Sequence, residues 1–447
     1  MISRPRKLAC SERRVHGYVP PLMVELMNKL GPRSPLLGYL MRPLAFSRNA
    51  RLYLLASLLM GFGHGAVMVH MNLYYRSLGI GEGDIGRILS AGSLGTVLIA
   101  LPAAFWVDRF PARLVFSLAA LGFGAVTILQ LMTDQLPILC LASAITRALF
   151  TVHWVAAAPF FMRNTSESER FDLFGFAHAG ETLATVVSAA GVGALAQRWT
   201  MATGSELAGL RGALLVPAIA AGLAVIPFLA IRDQHVALPH RQVRDYVRSR
   251  HWPLIARLTA PAILVGFGAG LIIPFLNLYF RDRFGQSTQA IGSYFGVAQL
   301  LTMVGFLAGP PLARRIGPVR TVVGTELLSI PFFLLLALSQ NLGLALAAFW
   351  MRAALMNMNH PVSTAFSMSA VPREEQAVTN SVRELCWNIA WMASTHMGGT
   401  MIQAHGYAFP MFITMALYAL AAGLFYGFFH QAHLRTASAP LEPEPGL

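Results

Sequence analysis

Charge is scarce in this 447-residue sequence: Asp, Glu, Lys and Arg together make up 12% of it. Soluble domains carry roughly twice that fraction, so an ordinary water-soluble globule is excluded. Lysine is nearly missing, with only Lys7 and Lys29, and arginine carries almost all of the formal net charge of +14. The basic residues form no continuous face, which speaks against a nucleic-acid surface. They gather in the N-terminal segment and in alternate loops between apolar runs, where they set membrane orientation. Cysteine is rare as well. Cys10, Cys140 and Cys386 are scattered, too few and too far apart for a disulfide framework or a metal-ligand spacing. There is no nucleophile–base constellation, no metal-ligand run and no phosphate-cradling loop, so the chain reads as no enzyme and implies no cofactor. Apolar residues are what it has in abundance: they make up 55% of the chain, and the mean hydropathy is +0.55.

One stretch occurs twice. Gly61-Phe-Gly-His-Gly65 returns as Gly266-Phe-Gly-Ala-Gly270, and Asn72-Leu-Tyr-Tyr-Arg76 returns as Asn277-Leu-Tyr-Phe-Arg281. Ile85-Gly86 returns as Ile291-Gly292, and Asp108-Arg109 as Arg314-Arg315. The offset is 277 − 72 = 205 residues at first and 314 − 108 = 206 later, so one residue is inserted between. Two halves, each too apolar to be soluble, describe a membrane protein built by duplication. The glycine run resembles a loop motif, but it lies inside an apolar segment, where glycines permit close helix packing or bending.

Residues 1–50 are basic and interrupted by proline, and they read as a cytoplasmic or interfacial segment with no signal-peptide pattern. Within them Pro21–Leu40 is either a helix lying on the membrane surface or part of a flexible tail. The apolar runs that follow are each near the ~20 residues that cross a bilayer as helix. In the first set they cover 52–76, 85–107, 114–132, 137–161, 172–196 and 212–231. In the second they cover 254–280, 289–312, 319–338, 342–369, 377–403 and 407–430. The expected organisation is therefore an all-α membrane protein of twelve transmembrane helices in two six-helix bundles, 51–231 and 254–430, related by pseudo-twofold symmetry. A cytoplasmic linker, 232–253, joins them, and a tail, 431–447, closes the chain. Arg109, Arg113, Arg163, Arg170, Arg314, Arg315 and Arg320 fall on the side of the linker, which places both termini in the cytoplasm by the positive-inside bias. Arg76, Arg198, Arg211 and Arg281 lie on the other side, so the bias is imperfect.

Ala104-Phe-Trp-Val-Asp108-Arg109-Phe-Pro-Ala-Arg113, in the loop after the second segment, resembles the signature of major facilitator superfamily transporters. That signature has glycine four residues before the aspartate and three after it, where this chain has Ala104 and Pro111. The second copy, Ala313-Arg314-Arg315-Ile-Gly317-Pro-Val-Arg320, keeps the basic residues and loses the acid. The resemblance implies secondary transport of a small molecule by two bundles rocking about a central site. It also implies a conformational latch of Asp108, Arg109 and Arg113, with Asp108 facing a helix N-terminus whose dipole favours a carboxylate.

Ionisable groups inside a bilayer are costly and mark function. Arg147 and Arg352 lie near the middle of the fourth and tenth segments, and 352 − 147 = 205 matches the duplication offset. They are expected to face each other as an anion site, since guanidinium suits carboxylate or phosphate. Equally, Arg147 resembles the arginine that proton-coupled antiporters of the family carry in the fourth helix, where it serves coupling or structure. Other candidates for the binding site are His64, His70, Asn72, His153, Asn277, Asn357, Asn359 and His360, on the segments that line the cavity in the family. A coupling proton needs a titratable group, for which Glu181, Glu384 and His178 are available. Glu181 is preferred, because Arg383 stands beside Glu384.

Three alternatives stay open. A drug/proton antiporter is weakened because Ser188-Ala-Ala-Gly191-Val-Gly193 and Met397-Gly398-Gly399 lack the proline of the family's antiporter motif. Soft-metal (copper) cargo is suggested only by His64 with Met68 and Met392 with His396, pairs four residues apart, and no resident metal is expected. A membrane sensor or scaffold that keeps the fold without transport is the third. The partners expected are a small solute, a coupling proton and the lipid of an inner membrane, for a chain acting as a monomer.

Overall fold

Helices begin where a capping side chain or a proline stands ahead of an apolar run, and they end where glycine or a polar turn interrupts it. In a computed structural model, which describes residues 42–164, 167–232, 251–372 and 375–437, this pattern yields twelve long helical segments. The first half comprises α1 (Arg48–Ser77), α2 (Glu82–Arg109), α3 (Ala112–Leu131), α4 (Leu136–Asn164), α5 (Glu167–Thr203) and α6 (Glu206–Leu223, resumed as Val225–Leu229). The second comprises α7 (Trp252–Ile272, passing through a tight turn at Ile273–Phe275 into Leu276–Phe284), α8 (Thr288–Ile316), α9 (Pro318–Leu338), α10 (Leu342–Ser369), α11 (Gln376–His405) and α12 (Ala408–Ala437). The Ser205, Ser287 and Asn341 side chains cap α6, α8 and α10 by accepting from backbone N–H groups of the first turn. The expected surface helix at Pro21–Leu40, nearly all of the linker and most of the tail lie outside the described residues.

Nine segments among the described residues are long and apolar enough to cross a membrane by length and composition. The other three long segments are α2, α10 and α11, and α10 and α11 carry polar residues that line the second half's cavity. The fold is all-α and membrane-spanning, as the sequence implied.

The duplication is written into the hydrogen bonds. Tyr74 donates its hydroxyl to the Leu131 carbonyl at 2.8 Å, and Tyr279, 205 residues on, donates to that of Leu336 at 2.6 Å. Thr151 bonds Thr96 at 3.3 Å across α4 and α2, and Asn357 bonds Thr302 at 3.2 Å across α10 and α8. Each half packs its first helix against its fifth and sixth, and its fourth against its second and third. The glycine run serves this packing: Gly63 abuts α6 and Gly65 abuts α5, while Gly268 abuts α12 and Gly270 abuts α11.

The halves meet along two pairs of helices, α2 with α11 and α5 with α8, which the pseudo-twofold exchanges. The bonds seen between the halves among the described residues lie toward the loops opposite the chain termini, here termed the far side. Asn72 donates to the Pro274 carbonyl at 2.6 Å, and its repeat partner Asn277 donates to the Val69 carbonyl at 2.8 Å. Gly83 N–H donates to Gln403 at 3.2 Å, and the Ser90 hydroxyl donates to the Met392 carbonyl at 2.9 Å. Arg281 pairs with Glu206 at 2.9 Å. Glycine lets the backbones close: a Cβ at Gly193 would stand 2.8 Å from the Thr288 carbonyl oxygen, and one at Gly399 would strike that of Glu82. Beside this seam Tyr407, in the loop before α12, donates to Asp282 at 2.6 Å. Burial first, and the Asp282 hydrogen bond next, push its phenol above the ordinary tyrosine value, so it keeps the proton it donates.

Candidate functional site

Polar side chains collect in the second half, where α7, α9, α10, α11 and α12 enclose a cavity of about 290 Å³. On α9 the carboxylate of Glu326 is 5% exposed, and on α10 Arg352 is 6% exposed. The two helices run antiparallel, and their contacts form rungs. Arg352 lays its guanidinium over the Phe333 ring at 5.2 Å, and Asn359 donates to Glu326 Oε1 at 3.1 Å. Both rungs sum to the same register, 352 + 333 = 359 + 326 = 685, so they lie two helical turns apart on one shared face.

Arg352 and Glu326 form no ion pair among the described residues, Arg352 Nε has no hydrogen-bond acceptor, and Glu326 Oε2 has no partner. Tyr418 of α12 lines the same cavity within electrostatic reach of both. The ring under Arg352 returns about 0.5–2 kcal/mol as a cation–π contact. That is less than the several kcal/mol a buried ion costs. The cavity is thus a polar chamber that also holds Arg383 and Glu384, with Arg352 Nε and Glu326 Oε2 left without hydrogen-bond partners. Trp387 and Trp391 of α11 give it an aromatic wall, and Arg383 donates to Ser363 at 3.1 Å beside it.

Of the candidates read from the sequence, this cavity gathers Arg352, Asn357, Asn359, His360 and Glu384. It does not gather Arg147, and the expected symmetric pairing of Arg147 with Arg352 requires correction. Around these helices the repeat offset is 206, as the Thr151–Thr96 and Asn357–Thr302 bonds and the starts of α4 and α10 show. The repeat partner of Arg352 is therefore Thr146, since 352 − 206 = 146. Thr146 is likewise buried and faces the third helix of its half, accepting from Gln130 at 2.7 Å. One residue along a helix turns a side chain through about 100°. Arg147 accordingly packs on α2 beside Gly92.

In the first half, three histidines are taken up by packing. His64 stacks on Phe150 with ring centroids 3.6 Å apart, His153 lies parallel to Tyr53 at 5.8 Å, and His70 bonds the Ala189 carbonyl at 2.8 Å. Asn72 and Asn277 spend their amides on the seam. A smaller cluster remains accessible: Trp154 Nε1 donates to Glu181 Oε1 at 3.2 Å, and the His178 ring lies 5.0 Å from that of Trp154. Repeat arithmetic maps Trp154, His178 and Glu181 onto His360, Glu384 and Trp387 (offset 206), so each half holds one tryptophan, one histidine and one acid at equivalent places. The suggested metal pair His64 and Met68 is split, because Met68 is 55% exposed while His64 is buried. Among the described residues, no group of three or more His, Cys, Asp or Glu is placed to hold a metal ion. Arg109 and Arg113 are exposed at the junction of α2 and α3, and the side chain of Asp108 lies outside what is described.

Glu326 was missed in the sequence, although it is the sole acid in the apolar run 319–338 and the rule applied to Glu181 picks it out. Phe333, Tyr418 and the two tryptophans carried no such signal, since aromatic residues are ordinary filling for membrane helices.

Two repeated six-helix halves joined toward one end, the second holding a polar cavity, define the class of secondary transporters. The Major Facilitator Superfamily model matches residues 53–395 and again 258–445, and the chain belongs to that family. It is a transporter and not an enzyme. A multidrug resistance protein, MdtG, of Dickeya zeae (strain Ech586) is 24% identical over 318 residues, covering 67% of this chain and 74% of that one. Among solved structures, a bacterial homologue of the human lysosomal transporter Spinster, inward-facing and unoccupied, superposes with TM-score 0.72 at 16% identity. That match covers 88% of this chain and 98% of the other. A D-xylose–proton symporter matches with TM-score 0.67 at 13% identity, covering 85% of this chain and 97% of its own.

Proposed function

We infer that this chain is a proton-coupled secondary transporter of a small organic solute bearing a carboxylate, moving by rocker-switch alternating access. The observation that carries the reading is Arg352, a buried guanidinium that lines the second half's cavity without an acidic partner. Such a charge is tolerated in a membrane where a ligand completes it. Positive-inside places both termini on the cytoplasmic face of the inner membrane, so the sealed far side is external and the conformation is inward-facing. Glu181 is the titrating acid in this reading, because it sits at a helix contact with Trp154 as its hydrogen-bond partner and no cation. Glu384 and His178 are the further acceptors along the proton's path. Asp108, Arg109 and Arg113 form the latch on the cytoplasmic side, and the unit of transport is the monomer.

The test is counterflow in proteoliposomes against a panel of labelled organic acids, with proton movement read by an internal pH dye. Carboxylate counterflow is expected in the native protein and is lost in Arg352→Gln. Glu181→Gln keeps counterflow but loses gradient-driven accumulation. Unchanged flux in Arg352→Gln removes the carboxylate assignment.

A second reading has its own support. The accessible Trp154–Glu181–His178 cluster offers a carboxylate and aromatic faces, chemistry that suits an organic cation, and the MdtG relative is a multidrug resistance protein. Proton-driven efflux of ethidium, abolished by Glu181→Gln, would favour it over the first.

A further inference from the structure

The cavity of the second half has two ends, and the carboxylate-transport reading uses only one of them. At one rung Arg352 is held over Phe333, 5.2 Å from the ring centroid, with Nε unanswered. At the other, Asn359 fixes Glu326 through Oε1 and leaves Oε2 unanswered. Both residues are more than nine-tenths buried, and both line the cavity. They do not neutralise each other, although neutralisation would be the cheapest way to keep two opposite charges in a membrane. Asn359 donates to Oε1 of the acid, and Oε2 has no hydrogen-bond partner among the described residues.

We propose that this chamber binds a two-ended zwitterion, its carboxylate on Arg352 and its ammonium on Glu326, with an apolar body against Trp387 and Trp391. The inference rests on the transporter reading above and narrows its substrate class. Geometry also sets the length. The rungs are seven residues apart on each helix, roughly 10 Å at 1.5 Å per residue. A hydrogen bond of about 3 Å at each end leaves roughly 4–5 Å between the ligand's charged groups. That exceeds the spacing in an α-amino acid and fits an ω-amino acid with a few methylenes between its ends. Asn359 is a positioning residue here: it holds the Glu326 carboxyl on its rung through Oε1 and leaves Oε2 without a partner.

The full chain, purified in detergent, is titrated with 4-aminobutanoate, 5-aminopentanoate and 6-aminohexanoate, and with pentanoate and pentylamine as one-ended controls. Binding is read as a rise in apparent melting temperature, which follows from mass action. The native protein is expected to bind at least one ω-amino acid tenfold or more tightly than either control. Glu326→Gln, nearly isosteric, is expected to keep its response to pentanoate while losing the preference for the amino acid. Arg352→Gln loses both responses. Equal binding of pentanoate and the ω-amino acids by the native protein overturns the proposal, as does no response to any of the three, or a preference that survives in Glu326→Gln. Retained pentanoate binding in Glu326→Gln shows that the variant is folded. Should the amino-acid preference fail while carboxylate counterflow persists, this inference falls and the transporter reading stands. Should counterflow also be absent, both fall.

Discussion

A charge buried in a bilayer has to be answered, and the residues around Arg352 and Glu326 differ in how they answer. Phe333 offers a ring face and Asn359 one hydrogen bond, while Arg352 Nε and Glu326 Oε2 stay buried without a partner. Replacing Asn359 by leucine leaves the Glu326 carboxylate buried and unsatisfied, which costs about 1–3 kcal/mol. In a Glu326→Leu background the same change should cost much less, and thermal denaturation of the four proteins of that cycle reads the difference. Arg147, turned onto α2 beside Gly92, should matter less to ligand than Arg352: Arg147→Gln is expected to shift a ligand midpoint severalfold less than Arg352→Gln in the same binding assay. A single-residue slip in repeat arithmetic separated these two arginines. The sequence carried both the residue types and the local offset, which is already 206 at Asp108 and Arg314, ahead of Arg147. Glu326 was visible by the intramembrane-charge rule, whereas Phe333 could be linked to Arg352 only once the α9–α10 register was known.

At the scale of the element, the seam depends on backbones that approach closely. Gly399 meets the Glu82 carbonyl across α2 and α11, and Gly193 meets that of Thr288 across α5 and α8. A valine at Gly399 cannot be accommodated while the far side is closed, so Gly399→Val should favour the far-open conformation, seen as a cysteine introduced there by Ala404→Cys that gains reactivity toward an impermeant maleimide. Asn72 and Asn277 act in the same equilibrium with smaller effect. Each interhalf bond contributes about 0.5–1.5 kcal/mol net. Their double alanine variant should therefore move the balance by about 5- to 150-fold toward opening. Both asparagines stood out in the sequence as repeated polar residues and were read as ligand contacts. Repetition marks a position equivalent in both halves, and a seam on the pseudo-twofold meets that condition as well as a binding site does. The twelve helical segments were legible because their apolar runs match the bilayer span. Their crossings were not, since glycines that permit contact look alike wherever they face.

For the whole molecule, one claim governs the rest: the halves, sealed now at the far side, exchange that seal for one near the termini. The direct measurement is the distance between spin labels at Ile80→Cys and Ala404→Cys, which flank the far-side seam, paired with labels at Arg113→Cys and Arg320→Cys near the termini, in lipid at two pH values. The account predicts two distance populations for each pair, with the far-side pair lengthening in the same conditions that shorten the near-side pair. Single, unchanging distances for both pairs would contradict it.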